Sequence, residues 1–340
     1  MKKTVLVTGG CGYIGSHTVV DLINHGSNVI IVDNLANSSI EVLNRIKIIT
    51  GVMPLFYKLD ILDREGLEDV FANNKIDAVI HFAAFKAVGE SVEKPLDYYY
   101  NNISGSIILF QIMQKYNVKN IVFSSSSTVY GNPKTVPVDE SFPTSATNPY
   151  GWSKLITEQI LRDLHVADNS FTVAILRYFN PVGAHKSGIL GEDPKGIPNN
   201  LMPYISQVAI GTREYVNVFG NDYDTYDGTG VRDYIHVLDL SNGHILALDY
   251  LYKNQGQVLI TNLGTGRGYS VIDVIKSYSR ACGRELLYKI CPRRAGDVAV
   301  SYANCDHAYK TIGFKAQYNL DDMCNDSWKW QSNNPNGYEK

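Results

Sequence analysis

Tyr150 and Lys154 stand four residues apart, the spacing that stacks two side chains on one face of a helix. A phenol with its ordinary pKa of about 10 is a poor base near neutrality, and a neighbouring ammonium lowers that value by roughly 1–3 units. Such a pair can take the proton of an alcohol while hydride leaves the same carbon. Spacing alone proves little, because 23 tyrosines in 340 residues yield about one such pair by chance. A second pair does exist, Tyr130 with Lys134, but Pro133 lies inside its turn and blocks a helix there. Tyr150 instead follows Asn148-Pro149, an N-cap residue and an N1 proline that start a helix. Ser126, one of four serines from Ser124 to Ser127, ends an apolar run and can orient a substrate hydroxyl.

Hydride chemistry needs an acceptor, and the N-terminus offers a place for one. Gly9-Gly10-Cys11-Gly12-Tyr13-Ile14-Gly15 follows an apolar run and opens a helical stretch. Glycines let the backbone turn tightly and approach a pyrophosphate, which sits on the free N–H groups of the helix start. Asp33 ends the next strand, where an acid accepts hydrogen bonds from ribose hydroxyls and repels a 2′-phosphate. The expected cofactor is therefore NAD rather than NADP.

The elements that must hold these groups alternate. Thr4–Thr8, Asn28–Val32, Asp77–Ala83, Asn120–Ser125, Thr172–Tyr178 and Val258–Leu263 read as strands. Tyr13–Asn24, Pro95–Tyr116, Pro149–Leu164 and Val237–Leu251 read as helices, Pro95–Tyr116 as one long helix. Nearly continuous apolar strands between helices imply an α/β fold, a Rossmann-type doubly wound parallel sheet. Between Pro181 and Asp233 the chain turns rich in Gly, Pro, Asn and Asp, with one clear helix near Leu201–Ile210. Residues 1–180 with 237–263 are expected to form the NAD-binding domain. Residues 181–236 with 264–340 are expected to form a smaller mixed α/β substrate domain.

Composition narrows the function classes. The chain is 44% hydrophobic and 19% charged with a net charge of -3, which suits a globular protein and not a basic nucleic-acid binder. No apolar run is long enough to span a membrane, and the N-terminus lacks the pattern of a signal peptide. Five cysteines without a Cys-x-x-Cys pair suggest neither a disulfide framework nor a zinc site, and a cytoplasmic location follows. The acidic loop Asp222–Gly228 fails the register of a calcium-binding loop, so no metal is expected.

Glycine loop, distal acid, serine and Tyr-x-x-x-Lys occur here in the order of the extended short-chain dehydrogenase/reductase superfamily. Longer stretches resemble the UDP-glucose 4-epimerase family: His81-Phe-Ala-Ala-Phe-Lys-Ala-Val-Gly-Glu-Ser91, Arg177-Tyr-Phe-Asn-Pro-Val-Gly-Ala-His185, Gly191-Glu-Asp-Pro, Ile197-Pro-Asn-Asn-Leu-Met-Pro-Tyr204 and Val231-Arg-Asp-Tyr-Ile-His-Val237. The likeness covers essentially the whole chain. It implies that tightly bound NAD oxidises the sugar at C4, that the 4-keto sugar turns over, and that hydride returns to its other face. Ser126, Tyr150 and Lys154 are the implied catalytic residues.

By the same resemblance Gly9, Gly12, Tyr13, Ile14, Gly15, Asp33, Asn34, Asn37, Ser38, Asp60, Ile61, Phe82, Ala83, Ala84, Lys86, Asn101, Tyr178 and Phe179 should line the NAD site with the catalytic residues. Lys86, Phe179, Asn180, Asn200, Leu201, Asn217, Phe219, Arg232, Arg294, Asp297 and Ser301 should join Ser126 and Tyr150 in holding the nucleotide sugar. The implied partners are UDP-glucose, UDP-galactose and a second copy of the chain, paired through Pro95–Tyr116 and Pro149–Leu164. Ala84-Phe85 and Trp152 depart from the family's usual residues without touching the chemistry. At the position of Ser301 a tyrosine closes the sugar pocket in forms restricted to plain sugars. A small residue there accompanies UDP-N-acetylhexosamine turnover, whereas a register one residue later would put Tyr302 at that gate.

Two rival readings share the fold. A nucleotide-sugar 4,6-dehydratase carries an Asp-Glu pair just after its active serine or threonine, and Ser127-Thr-Val-Tyr130 holds no acid. A non-catalytic NAD-binding regulator commonly lacks the tyrosine, which is present here.

Overall fold

A computed structural model describes residues 2–196, 198, 200–294 and 297–339. Ile197 and Asn199 of the Ile197–Tyr204 motif lie outside the described residues. Among the described residues the strands are β1 (Thr4–Thr8), β2 (Asn28–Asp33), β3 (Leu55–Lys58), β4 (Ala78–His81), β5 (Asn120–Ser126), β6 (Thr172–Tyr178), β7 (Asn180–Val182), β8 (Val216–Phe219), β9 (Val231–His236), β10 (Val258–Leu263), β11 (Gly268–Ser270), β12 (Tyr288–Cys291) and β13 (Val300–Ser301). The α-helices are α1 (Tyr13–Asn24), α2 (Glu41–Thr50), α3 (Arg64–Asn73), α4 (Val88–Glu93), α5 (Pro95–Tyr99), α6 (Gly105–Lys115), α7 (Pro149–Ala167), α8 (Leu201–Ala209), α9 (Val237–Lys253), α10 (Val271–Cys282), α11 (Asp306–Ile312) and α12 (Leu320–Asn333).

Seven strands form one sheet in the order β10-β6-β5-β4-β1-β2-β3. Every pairing in it is parallel. Both faces are covered, as the unbroken apolar strands predict. On β1, Val5 and Val7 enter a core shared with Val19 and Val20 of α1 and Leu248 of α9. Leu6 points the other way, into a core with Leu67 of α3, Leu109 of α6 and Leu161 of α7. This is the Rossmann-type arrangement. Chain order reverses at β1, which lies between β2 and β4, and ligands of such sheets lie at the carboxyl ends of the strands beside that reversal.

The remaining strands build smaller sheets. β9 pairs with β7 and β13 in parallel and with β11 antiparallel, and β8 pairs with β12. Helices α8, α10 and α12 close a separate core over them through Ile205, Tyr278 and Met323. Tyr13 at the start of α1 donates its phenol to the carbonyl oxygen of Gly183 at 2.6 Å, which ties the glycine loop to this second region.

One element departs from expectation. Pro95–Tyr116 is not a single α-helix, because residues Tyr100–Ser104 form a π-helical turn between α5 and α6. A buried side chain is anchored in that turn. Asn102 accepts from the Phe85 amide at 2.8 Å and donates to the Phe85 carbonyl at 3.0 Å and to Ser153 Oγ at 2.9 Å. The extra residue of the turn lets Asn101 and Asn102, adjacent in sequence, both face inward; they are 8% and 4% exposed.

Candidate active site

The glycine loop is built by contacts that tolerate no side chain. Gly9 has φ +69°, and a Cβ there would meet the Ala83 backbone nitrogen at 2.8 Å. A Cβ on Gly15 would lie 2.2 Å from the Gly9 carbonyl oxygen. Gly12 is the N-cap of α1 and provides no side-chain cap, so the first turn presents N–H groups where an anion can sit. Asp33, at the carboxyl end of β2, accepts from the Cys11 amide at 3.0 Å and from the Leu35 amide and Ser38 Oγ, each at 2.9 Å. Its carboxylate is thus fixed beside the loop. Asn34 donates to Asp60 at 2.8 Å, and Ile61 packs under Gly105 of α6. These residues, together with the open helix start, suit an adenosine dinucleotide.

The catalytic candidates meet at the end of β5. Asn148 caps α7 by accepting from the Gly151 amide at 2.9 Å, and Pro149 occupies N1, as the sequence predicts. Lys154 Nζ lies 5.9 Å from the centre of the Tyr150 ring and donates to the Ser124 carbonyl at 2.7 Å. It is 4% exposed, and burial pulls its pKa down to about 7 while the negative charge of Glu158 opposes that fall. Burial pushes the Tyr150 phenol up, and a hydrogen bond from Ser126 pulls it the other way. The phenol therefore stands above its ordinary value and not below it, because enclosing a phenolate is costly. Ser126 is in contact with Tyr150, and its hydroxyl also accepts from the Thr128 amide at 3.2 Å.

Tyr130 and Lys134 do not share a helix, since residues 131–134 are irregular. Tyr130 belongs to a short 3-10 turn over Ser127–Tyr130, and its phenol donates to Asn262 at 2.7 Å and accepts from Arg177 at 3.2 Å.

The remaining candidates form two clusters. Lys86 pairs with Glu192 at 3.1 Å, and Asn200 donates to the same carboxylate at 3.4 Å, so Glu192 of the Gly191 motif joins them. Arg294 donates to Asp297 at 3.0 Å and stacks over Phe219 at 4.8 Å, and Arg232 lies 3.9 Å from Asp297. Two arginines converging on one spot, with their forked donors, suit a diphosphate. Asn217 stands on β8 nearby and donates to Tyr204 at 3.3 Å. Register places Ser301 beside Arg232 in the parallel β13–β9 pair. Val300 and Tyr302 line the groove on the other face of that strand with Val231 and Tyr269.

Sequence reasoning missed three supporting groups: Asn102, Glu192, and Ser125 with Glu158. Glu158 follows Lys154 by the same four residues that separate Lys154 from Tyr150, so the helical period was the available signal. Asn102 offered none, because its role depends on the π turn.

Known proteins sharpen this picture. The chain matches the family model described as GDP-mannose 4,6 dehydratase over residues 6–327. It is 58% identical over 335 residues to a UDP-glucose 4-epimerase of Bacillus subtilis (strain 168), with 98% of each chain covered. The crystal structure of UDP-glucose 4-epimerase from Bifidobacterium longum in complex with NAD+ and UDP superposes with a TM-score of 0.96 at 56% identity, covering 98% of this chain and 100% of that one. The UDP-Glc/GlcNAc 4-epimerase of Campylobacter jejuni follows with a TM-score of 0.85 at 35% identity, covering 97% of this chain and 99% of that one.

Proposed function

We infer the activity from one premise: the chain belongs to the UDP-glucose 4-epimerase family, within the extended short-chain dehydrogenases/reductases. It is an NAD-dependent isomerase that interconverts UDP-glucose and UDP-galactose. The observation that carries the reading is the placement of Tyr150, Lys154 and Ser126 at the carboxyl end of β5, in the sheet whose β1 leads into the glycine loop. The dehydratase reading lacks support, since the turn Ser127–Tyr130 after the active serine carries no acid. A non-catalytic regulator is disfavoured by the intact pair.

Gly9, Gly12, Tyr13, Ile14 and Gly15 would hold the NAD pyrophosphate, Asp33 the adenosine ribose, and Asn101 and Lys154 the nicotinamide end. NAD, when bound, supplies the acceptor and later the donor for the hydride at sugar C4. Ser126 orients the 4-hydroxyl toward Tyr150, and Tyr150 removes its proton and later returns it. Lys154 holds the positive charge that favours the phenolate. Arg232 and Arg294 bind the diphosphate, and Asn200, Leu201, Asn217 and Phe219 surround the nucleoside. The released 4-keto sugar must turn before hydride returns, so the diphosphate clamp, and not the sugar, is where the grip is firm.

The division into a NAD-binding domain, 1–180 with 237–263, and a substrate domain, 181–236 with 264–340, gains support from the sheets: all seven large-sheet strands fall in the first set. Ser301 beside Arg232 supports a pocket open to N-acetylated sugars. The apolar residues Val92, Leu96 and Tyr100, 63%, 79% and 64% exposed on α4, α5 and the π turn, support a homodimer that covers them. No helix among the described residues is long and apolar enough to cross a membrane, and we place the protein in the cytoplasm.

The test is direct. Purified protein without added NAD should interconvert UDP-glucose and UDP-galactose, and Tyr150→Phe should lose about 10²–10⁴ in kcat with little change in KM. Unchanged turnover in Tyr150→Phe removes the tyrosine from its role. Ser301→Tyr should abolish conversion of UDP-N-acetylglucosamine and spare that of UDP-glucose; equal losses on both sugars would refute the gate.

A further inference from the structure

Three consecutive serines at the end of β5 each hold one of three residues that lie one turn apart on α7. Ser126 meets Tyr150, the Ser124 carbonyl accepts from Lys154, and Ser125 Oγ donates to Glu158 at 2.5 Å. The first two contacts belong to the catalytic pair. The third has no part in the chemistry described above, yet it is the most deeply enclosed.

Glu158 is 0% exposed and Arg177 is 2% exposed. Arg177 Nε donates to Glu158 Oε1 at 3.0 Å and Nη2 donates to Oε2 at 2.6 Å, a two-pronged clamp. Ser125 completes the carboxylate, so its charge is fixed in place. Burying a bare ion pair gives little net stability, because desolvation cancels the attraction. A buried carboxylate beside a catalytic helix therefore calls for an explanation other than stability.

We propose that Glu158 is a positioning residue of the reaction: clamped by Ser125 and Arg177 one helical turn from Lys154, its carboxylate raises the share of the Tyr150–Lys154 pair in which the shared proton sits on the lysine. The inference rests on the role given to that pair under the proposed function. Two forms of the pair carry a single proton. In one the phenol is neutral and the amine is bare. In the other the phenolate faces an ammonium, and only this form can accept the substrate proton. Burial disfavours the second form at both residues. A fixed anion near the ammonium shifts the balance back toward it.

The other groups around the pair do not supply this charge. His81 on β4 faces Lys154, but burial pulls its pKa down to about 3 and it is neutral. Tyr178 on β6 and Tyr98 on α5 face Tyr150, and burial raises both phenols, so they are neutral as well. Arg177 spends its guanidinium on Glu158 and Tyr130, and Arg162 approaches the far oxygen of Glu158 only at 3.8 Å. Among the described residues, Glu158 is the carboxylate whose charge bears on Lys154.

The test compares pH profiles of the holoenzyme and of Glu158→Gln, with bound NAD and thermal midpoint measured on each. The isostere removes the charge and keeps the shape. Removing an opposite charge from a buried lysine shifts the balance by about one pKa unit or more. Conversion of UDP-galactose should then fall about tenfold on the plateau above neutrality. Rates on the acid side should be preserved, so the apparent pKa of the acid limb drops by about one unit. A merely structural role predicts a loss by the same factor at every pH, and that result, or an unmoved plateau, overturns the proposal. If Glu158→Gln strands Arg177 and fails to fold, Glu158→Gln/Arg177→Met removes both charges; a loss selective for the plateau is again expected, smaller because the opposing guanidinium goes too, and an unmoved plateau overturns the proposal. Tyr150→Phe run alongside separates the two claims. Retained turnover there defeats the reading of the pair itself, whereas lost turnover with an unmoved limb in Glu158→Gln defeats only the role of Glu158.

Discussion

Replacing Asn102 with leucine should expel the cofactor without touching it. The amide of Asn102 makes four hydrogen bonds: with both backbone groups of Phe85, with Ser153 Oγ, and with the Asn101 side chain at 2.9 Å. Leucine fills a similar volume and makes none of them. Ser153 keeps its own bond to the Tyr150 carbonyl at 2.7 Å, so three groups lose their partner: the Phe85 amide, the Phe85 carbonyl and the Asn101 amide. An unmet buried polar group costs about 1–3 kcal/mol. Three such groups would cost about 3–9 kcal/mol, and water reaching the part-buried Phe85 backbone brings the sum to the low end, about 3 kcal/mol. That is a large share of the roughly 5–15 kcal/mol that holds a folded protein together. The cheapest relief is for the π turn to become regular α-helix, which rotates Asn101 by about 100° out of its inward-facing position, where we propose it meets the nicotinamide end. The assay is NAD released by acid from protein passed through gel filtration, read with the thermal midpoint and the rate after NAD is restored. Asn102→Leu should retain less than half its NAD and melt several degrees lower, and added NAD should recover part of the rate. Full NAD content with an unshifted midpoint would refute the role given to the π turn.

Gly15→Ala forces a methyl group to within 2.2 Å of the Gly9 carbonyl oxygen, a backbone atom that cannot yield without opening the loop, so the purified variant should carry no NAD while its far-ultraviolet circular dichroism stays native. The pH dependence of stability has a definite sign at Lys154, whose folded pKa of about 7 lies below its ordinary 10.5. Above pH 7 the unfolded chain binds the extra proton, so stability relative to Lys154→Met should rise by about 1.4 kcal/mol per pH unit between pH 7 and pH 9; a flat difference in denaturant titrations would show that the lysine is not buried as a free base.

The parts of the fold legible in the sequence are those set by local pattern. β1, β6 and β10 carry unbroken apolar runs and stand where the runs stand. Helix α7 begins at its cap-and-proline signal. Strand β3, with helices α2 and α3 on either side, is not legible, because Leu55–Lys58 is only four residues long, lies at the sheet edge and exposes both its ends. Strands β8, β9, β12 and β13 escaped for a different reason. None carries an unbroken apolar run: Asn217 interrupts β8, Arg232 and Asp233 interrupt β9, β12 exposes three of its four residues, and β13 has two residues.

The site divides along the same line. The glycine loop and the Tyr150–Lys154 helix face are legible in the sequence as local geometry, because a few consecutive positions set it. The question of Ser301 or Tyr302 was not local. Alternation along a strand sends neighbours to opposite faces, and only the register against β9 tells which of the two stands beside Arg232. The phenol of Tyr150 illustrates the limit most sharply. Pairing it with a lysine argues for a lowered pKa, while enclosing it argues for a raised one, and sequence gives the partners without the depth of burial. In the folded protein burial prevails at both members of the pair. The charge that redresses the balance must then come from elsewhere, and the buried carboxylate one turn further along α7 is placed to supply it.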